Sequence, residues 1–375
     1  MIRVAVVDDS AVVQETFKQL LSEDPEIEVI YTASDPIFAL HKFEKQWPDV
    51  IITDIEMPRM DGITFIREIR KTRNTPIIVC SSVTGDLPRS TIAALEAGAI
   101  EIIPKPQLAV KQFLGEIQGK VVHLIKAAAA THPDRKTRSK ETEPGDSSST
   151  TGANTTTLPA ATKPAPSRPT EEDSFEALFD DPRSKLPCRL VAIGASTGGV
   201  QALESILTRL RPPLPPIVVV QHMPEKFTEA FAQRLDHISV IHVREAKDGE
   251  NLKNSTAYIA PGNFHMEVGP DAAGFAARIR QTPPVNRHRP SVDVLFRSVA
   301  KHVGKLSAGI LLTGMGADGA EGLLEMRHAG ARTCCQDEHS SVVFGMPYEG
   351  IRLGAAQTVL PLDRMPQYIA SLVHR

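Results

Sequence analysis

The sequence has little of what marks several common protein classes. It contains four cysteines and one tryptophan, and its formal net charge is −3. The cysteines follow no disulfide or zinc-binding spacing, which excludes a disulfide scaffold and fits a reducing cytosol. They are Cys80, Cys188, Cys334 and Cys335. The near-neutral charge gives no general reason to expect a nucleic acid or an anionic membrane as a partner.

Long apolar runs are also missing. No stretch approaches about 18 uninterrupted apolar residues, the minimum for a membrane-spanning helix. The first residues, MIRVAVVDDS, carry one basic residue and a short apolar run that ends in two aspartates, so they lack the long apolar core of a signal peptide. We therefore expect a soluble, cytoplasmic protein.

The composition changes in the middle of the chain. Residues 127–187 are rich in Ser, Thr, Pro and charge, and poor in large apolar residues. Such a segment buries too little apolar surface to offset its ordering entropy, so it predicts a flexible linker. Within it, SFEALFDD at 174–181 has apolar residues at helical spacing, which we interpret as a weakly sticky linker segment rather than a docking helix. The linker separates two predicted domains, 1–126 and 188–375.

Both domains alternate short β-branched runs with helical patterns, which is typical of parallel sheets covered by helices. The first domain has five such runs, at residues 2–7, 27–32, 50–53, 76–81 and 100–104. We predict an α/β protein of two doubly wound domains: a compact five-stranded domain, then a larger α/β domain with a β-hairpin. Ligands bind such sheets beyond the carboxyl ends of the strands.

Charged side chains stand at strand ends in the first domain. Asp8 and Asp9 follow the first run, Asp54 follows the third, and Lys105 follows the fifth. Three carboxylates brought together repel one another unless a cation lies between them, and an all-oxygen set suits Mg²⁺. One aspartate can then attack a phosphoryl group while the lysine neutralises the transferred oxygens. The alternative is that the first two aspartates cap the next helix, which leaves Asp54 and Lys105 unexplained.

The motifs VVDDS, TDIEMPRMDG and PKP, in this order and spacing, resemble the receiver domain of two-component response regulators over residues 1–126. The resemblance implies Asp54 as the phosphoacceptor, Mg²⁺ as cofactor and a histidine kinase as phosphodonor. Where many receivers have an aromatic residue three positions before the lysine, this chain has Ile102. The implied metal ligands are Asp8, Asp9, Asp54 and the backbone carbonyl of Glu56, and the implied switch residues are Ser81 and Lys105.

Three apolar runs of the second domain each end in a reactive residue, namely Ser196, His222 and Asp318. If their strands are neighbours, these side chains share one crevice. Acyl transfer needs such groups: serine attacks, histidine moves the proton, and aspartate holds the imidazole tautomer. GASTG at 194–198 fits the G-x-S-x-G turn, and a helix predicted from about Gly199 to Leu210 directs its N–H groups at the site.

Other interpretations of the serine stay open at this stage. A helix N-cap would account for Ser196 but not for the histidine and the aspartate. A nucleotide site would need G-x-x-x-x-G-K-[ST] or G-x-G-x-x-G, and neither pattern is present. His265 is a rival base near a Pro-Gly turn, where histidine is more often an ordinary surface or packing residue. We expect Arg287, Arg289 and Asp293 near the crevice in supporting roles, as carboxylate-binding or helix-capping residues.

IGASTGG, QHMP, YIAPG, NRHRPSVD and LLTGMGADGA, in series, resemble the catalytic domain of chemotaxis protein-glutamate methylesterases over residues 188–375. Joined to a receiver, they resemble the CheB family. The resemblance implies a triad of Ser196, His222 and Asp318, and the backbone N–H groups of Thr197 and Met315 as oxyanion donors, without a cofactor in this domain. The order Ser, His, Asp differs from that of the α/β-hydrolases, so the fold is not equated with theirs.

The resemblance also implies the activity. The enzyme would hydrolyse glutamate γ-methyl esters and deamidate selected glutamines on methyl-accepting chemotaxis receptors, and would meet the membrane only through them. Phosphorylation by a chemotaxis histidine kinase would activate it, because the unphosphorylated receiver covers the crevice in this family. The alternative is a phosphorylation-dependent docking protein with an inactive crevice. Transcriptional output would need a basic recognition helix, and none is apparent.

Overall fold

The computed structural model describes residues 1–81, 87–105, 111–130, 186–225, 227–272 and 274–373. Most of the predicted linker, including SFEALFDD, lies outside these residues. Residues 127–130, which we expected to begin the linker, instead form the last turn of a helix, because Ala128 and Ala129 are buried in the core of the first domain.

The first domain contains a five-stranded parallel sheet in the order β2-β1-β3-β4-β5. Its strands are rich in β-branched residues and mostly buried, as a sheet covered on both faces requires. The predicted strands are confirmed to within one residue at each end. They are β1 (Ile2–Val7), β2 (Ile27–Ala33), β3 (Val50–Thr53), β4 (Ile77–Ser81) and β5 (Glu101–Pro104).

Helices connect these strands. They are α1 (Ala11–Ser22), α2 (Pro36–Lys45), α3 (Gly62–Thr72), α4 (Leu87–Glu96) and α5 (Lys111–Ala130). Ser10 caps α1, since its Oγ accepts a hydrogen bond from the Val13 N–H at 3.4 Å. Neither Asp8 nor Asp9 is the cap of that helix, so the capping alternative for these carboxylates is wrong.

The second domain contains a seven-stranded sheet, in which every pairing is parallel, in the order β14-β13-β12-β6-β7-β9-β8. A separate antiparallel hairpin of two strands, β10 and β11, confirms the predicted β-hairpin. The strands are β6 (Leu190–Ala195), β7 (Ile217–Gln221), β8 (His242–Glu245), β9 (Thr256–Ile259), β10 (His265–Asp271), β11 (Gly274–Arg280), β12 (Ser307–Leu311), β13 (Arg332–Gln336) and β14 (Thr358–Leu360).

The helices of the second domain are α6 (Gly199–Leu207), α7 (Phe227–Ile238), α8 (Val292–His302), α9 (Ala320–His328), α10 (Met346–Arg352) and α11 (Met365–Ser371). The apolar face of α8 fills the core, where Leu295 and Phe296 are fully buried. Among the helices within the described ranges, none combines the length and the apolar character of a membrane span.

Candidate active site and acidic cluster

The three reactive residues of the second domain follow strands that are neighbours in the sheet. β6 lies between β12 and β7, so the loops after these strands leave the same edge. Backbone hydrogen bonds join the loops: the Ser196 N–H donates to the Thr313 carbonyl at 3.0 Å, and the His222 N–H donates to the Ala195 carbonyl at 3.1 Å. The condition for a shared crevice, that the three strands are neighbours, is therefore fulfilled.

The turn at residues 196–199, called the Ser196 turn here, depends on its glycines. Gly198 has a φ of 76°, in the left-handed region that favours glycine, and it is the N-cap of α6 without a capping side chain. Ser196 is therefore not the N-cap, and that alternative is wrong. Gly314 lies beneath the turn, where an added Cβ would stand 2.8 Å from the Ser196 Cβ. Gln221 fixes the turn through a 2.9 Å hydrogen bond from its Nε2 to the Ser196 carbonyl.

His222 binds Asp318 through one ring nitrogen. Its Nε2 lies 2.8 Å from the Asp318 Oδ2, and both side chains are almost fully buried. Its Nδ1 is buried and has no hydrogen-bond partner within the described part of the chain. In the serine-protease template Nδ1 faces the aspartate and Nε2 faces the serine. Here Nε2 faces the aspartate instead, which leaves Nδ1 as the ring nitrogen without a described partner.

Asp318 is held by five hydrogen bonds. The donors are the His222 Nε2, the Asn286 Nδ2, the Ser291 hydroxyl and the N–H groups of Val292 and Asp293. Burial raises the pKa of Asp318, but the hydrogen bonds and the charge of His222, with the Asn286 and Ser291 donors, outweigh burial, so the pKa lies well below its usual value. The carboxylate is therefore ionised at neutral pH, as the support of an imidazolium requires.

Asp293 caps a helix, but not the one that contains it. Its Oδ1 accepts the N–H groups of Gly319 and Gly322 at 3.0 and 2.7 Å, at the start of α9, while Ser291 is the N-cap of its own helix. Burial raises the pKa of Asp293, and the nearby charge of Asp318 adds to that rise. Asp293 therefore fixes the start of the helix that follows Asp318.

The two arginines have different positions. Arg289 donates to the Asn263 Oδ1 from Nε at 3.1 Å and from Nη2 at 2.6 Å, and from Nη1 to the Thr282 carbonyl at 3.0 Å. It ties two loops together, and these described contacts are with an amide oxygen and a backbone carbonyl. Arg287 is exposed on the same loop with a φ of 66°. Neither contacts the triad in a described hydrogen bond.

His265, the rival base, is fully buried and both of its ring nitrogens are used. Its Nε2 lies 3.0 Å from the Pro283 carbonyl, and its Nδ1 accepts the Ser291 N–H at 3.1 Å. A neutral imidazole that donates at one nitrogen and accepts at the other has no capacity left to serve as a base. His265 is a packing residue, in the interior rather than on the surface.

Sequence reasoning missed three residues that contact the triad: Asn286, His288 and Ser291. Asn286 joins two carboxylates, donating from Nδ2 to Asp293 at 2.7 Å and to Asp318 at 2.8 Å. The His288 ring stacks on the His222 ring with centroids 3.8 Å apart and planes 5° from parallel. All three lie in the quoted motif NRHRPSVD, so the motif could have drawn attention to them. Their roles could not be predicted, because they depend on the conformation of the turn within this motif.

The backbone around the predicted oxyanion donors is fixed by hydrogen bonds. The Thr313 hydroxyl donates to the Thr197 carbonyl at 2.9 Å, and the Gly314 carbonyl next to Met315 accepts the Met346 N–H at 2.8 Å. Within the described ranges, neither the Thr197 N–H nor the Met315 N–H donates to a backbone carbonyl. An oxyanion site needs fixed N–H groups without another acceptor, and among the described residues these two N–H groups have no backbone acceptor.

In the first domain, Asp8, Asp9 and Asp54 each offer an oxygen, and these oxygens lie within 4.8 Å of one another. The Lys105 Nζ lies 2.7 Å from the Asp54 Oδ2 and 3.1 Å from the Asp8 Oδ2. Burial raises the pKa of Asp8 despite hydrogen bonds from Ser10 and Lys105. Its Oδ2 is buried and makes no hydrogen bond of good geometry with a described residue, although it pairs with the lysine. An all-oxygen set with such an oxygen fits a hard divalent cation.

The other predicted residues of this domain lie on or shortly after β3, β4 and β5. Ser81 is buried at the end of β4, and its carbonyl accepts the Lys105 N–H at 2.9 Å. Glu56 is exposed after β3, and its carbonyl accepts no backbone N–H from any residue described. Ile102 is half-buried on β5, between Glu101 and the lysine. The set is therefore assembled as the strand-end rule predicts.

The first domain contacts the Ser196 turn directly. The Thr197 hydroxyl donates to the Glu101 Oε2 at 2.6 Å, and the Gly198 N–H donates to the Ile100 carbonyl at 3.3 Å. Gln201, on α6, donates to the carbonyls of Leu95 and Ala99. The beginning of β5 and the residues before it therefore lie against the loop that carries the serine.

Family models match both halves of the chain. The family model for the response regulator receiver domain matches residues 4–116, and that for CheB methylesterase matches residues 191–369. A protein-glutamate methylesterase/protein-glutamine glutaminase of Leptospira interrogans is 48% identical over 97% of this chain and 98% of its own length. One of Xanthomonas campestris is 48% identical over 98% of this chain and 99% of its own.

Solved structures resemble the two halves separately. The catalytic domain of the Thermotoga maritima CheB methylesterase is 38% identical, and the match covers 50% of this chain and 99% of that domain with a TM-score of 0.49. The response regulator domain of Thermotoga maritima CheB is 34% identical, and the match covers 36% of this chain and 99% of that domain with a TM-score of 0.32.

Proposed function

This chain belongs to the CheB methylesterase family of protein-glutamate methylesterases and glutaminases, and we propose that it acts on methyl-accepting chemotaxis receptors by a serine acyl-enzyme mechanism. It removes γ-methyl esters from receptor glutamates and deamidates selected glutamines. The observation that carries the mechanism is the His222–Asp318 hydrogen bond of 2.8 Å at the sheet edge where Ser196 ends the neighbouring strand.

The chemistry follows from these three side chains. The Ser196 hydroxyl attacks the carbonyl carbon of the receptor side chain while the His222 Nδ1 takes its proton. The tetrahedral oxyanion is stabilised by the N–H groups of Thr197 and Met315. The intermediate collapses, and methanol, or ammonia from a glutamine, leaves with the proton from the imidazolium. Water then attacks the acyl-enzyme by the same route, which restores the serine and releases a glutamate side chain.

We also propose that residues 1–126 form a regulatory receiver, connected through a linker at 127–187 whose first four residues extend the α5 helix, to a catalytic domain at 188–375. Asp54 accepts a phosphoryl group from a chemotaxis histidine kinase. Asp8, Asp9, Asp54 and the Glu56 carbonyl would hold Mg²⁺, which would supply the positive charge that offsets the carboxylates. The protein works in the cytoplasm and reaches the membrane only through its receptors.

A single strand supports the regulatory proposal. β5 ends beside Lys105, which pairs with Asp54, and begins with Glu101, which binds Thr197 next to the serine. A phosphoryl group on Asp54 would change the charge that Lys105 faces at one end of this strand. We expect the switch, Lys105 with Ser81, to release the Glu101 contact at the other end and so uncover the crevice.

The deciding experiment measures methanol release from methylated chemoreceptor membranes, with and without a small phosphodonor and Mg²⁺. We expect the release to disappear in Ser196→Ala and to rise with the donor only when Asp54 is present. Full release by Ser196→Ala would refute the mechanism, and release that ignores the donor would refute the regulation. Phosphorylation-dependent receptor binding without any release would instead support the docking alternative.

A further inference from the structure

The loop that carries NRH forms a tight turn beside the triad. Val285 and His288 pair as an isolated antiparallel bridge, with hydrogen bonds of 3.1 and 2.9 Å between their backbones. The two residues between them, Asn286 and Arg287, have φ values of 53° and 66°. Two successive left-handed residues give a hairpin turn of fixed shape. Residues 285–288 are called the clamp turn below.

The clamp turn contacts two of the three triad members. Asn286 donates from its Nδ2 to the Asp318 Oδ1 at 2.8 Å, and the His288 ring lies face to face with His222 at 3.8 Å. Asparagine tolerates the left-handed region better than most residues, but Arg287 pays a strain cost there. Such strain persists where the surroundings impose it, and here it directs the side chains on either side of Arg287 to the triad.

The His222 ring needs a second constraint. The Nε2 hydrogen bond to Asp318 fixes one point of the imidazole, and the ring can still tilt about that point. Nδ1 has no hydrogen-bond partner among the residues described, so no second hydrogen bond sets the ring plane. A flat side chain 3.8 Å away and 5° from parallel does set it.

We propose that His288 is a positioning residue: its ring holds the plane of His222 so that Nδ1 stays directed for proton transfer while Nε2 stays on Asp318. The inference rests on the proposed function of His222 as the base. The proposal assigns this role to the flat face of the His288 ring, whereas a second acid–base group would act through a ring nitrogen.

The test uses the full chain with phosphodonor and Mg²⁺, and the variants His288→Ala and His288→Phe. We expect His288→Ala to lower kcat by roughly 3- to 10-fold with KM unchanged, as the loss of one aromatic pair predicts. His288→Phe keeps a flat face and should retain most of the activity. The rate at which a fluorophosphonate labels Ser196 should fall by the same factor as kcat, because labelling reports activation of the serine without any receptor. His302→Ala, at an exposed histidine on α8, is the matched control and should change neither rate.

Three results would overturn the proposal: unchanged kcat and labelling in His288→Ala, an equal loss in the Ala and Phe variants with wild-type thermal stability, or a fall in labelling for the control. If His288→Ala melts early, His288→Leu restores bulk without a flat face and should still label slowly. Failure of the proposed function would give a different result: the wild-type chain would be labelled at Ser196 but would release no methanol. In that case the effect of His288 on labelling could still be measured.

Discussion

In both sheets the reactive side chains lie at the carboxyl ends of neighbouring parallel strands, but the two sites compensate their carboxylates differently. In the acidic cluster of the first domain, Lys105 is the cation that pairs with both Asp8 and Asp54 among the residues described. Asp318 of the second domain is instead surrounded by five hydrogen-bond donors. The first site is compensated by a positive charge, whereas the second is compensated by hydrogen-bond donors.

The pKa directions express the same difference. Burial raises the pKa of Asp8, and the donors around it do not reverse the shift. Burial also opposes ionisation of Asp318, but hydrogen bonds from His222, Asn286 and Ser291 lower its pKa below the usual value. Burial alone therefore does not decide the charge of a carboxyl group, because the number and direction of the hydrogen-bond donors can outweigh the effect of burial on its pKa.

The largest effect is expected when the charge of Asp318 is removed. Asp318→Asn keeps the side-chain size but loses the partner of the imidazolium, and we expect kcat for methanol release to fall about 10⁴-fold. Asp363→Asn, at an exposed position, is the matched control and should stay at wild-type rate. A loss smaller than about tenfold would contradict the role assigned to the aspartate.

The contact between the two domains provides the next largest effect. Glu101→Ala removes the hydrogen bond to Thr197, and we expect methanol release without phosphodonor to rise about tenfold, the value of one charge-assisted hydrogen bond. The remaining activation by the donor should shrink accordingly. Glu44→Ala, at an exposed carboxylate of the same domain, should leave the ratio of the two rates unchanged. An unchanged ratio in the Glu101 variant would show that this contact does not restrain the enzyme.

The depressed pKa of Asp318 should make the thermal stability of the protein depend on pH in the acid range. Because the folded-state pKa of Asp318 is depressed, its contribution to the free energy of unfolding is present above the unfolded pKa of about 3.9 and is lost as the pH falls below it. Wild-type protein should therefore lose more thermal stability than Asp318→Asn between about pH 5 and pH 3. Parallel losses in the two proteins would remove the basis for the depressed pKa.

The smallest effect is expected for a substitution in the acidic cluster, measured as a change in melting temperature. Because burial raises the pKa of Asp8, its ionised carboxylate is less stable in the folded chain than in the unfolded chain, so Asp8→Asn should raise the melting temperature in the absence of Mg²⁺. Added Mg²⁺ should stabilise the wild type and not the variant. Equal stabilisation of both by Mg²⁺ would place the cation elsewhere.

Much of both sites followed from local patterns. Apolar runs predicted the first five strands, and the strand-end rule predicted the acidic cluster and the neighbouring positions of Ser196, His222 and Asp318. Predictions of capping were less successful. Ser10, rather than an aspartate, caps α1. Asp293 caps α9 instead of its own helix, because the N–H groups that its carboxylate reaches belong to α9 and the residue before it.

By itself the sequence determined two parallel sheets, the hairpin and the identity of the side chains at the strand ends, since hydrophobic period, β-branched runs and glycine turns act over a few residues. Only the tertiary structure decided that Glu101 reaches Thr197, and that the clamp turn lies on His222. Each of these contacts joins residues far apart in the chain. No local pattern encodes them, because they exist only after the sheets and their loops have packed together.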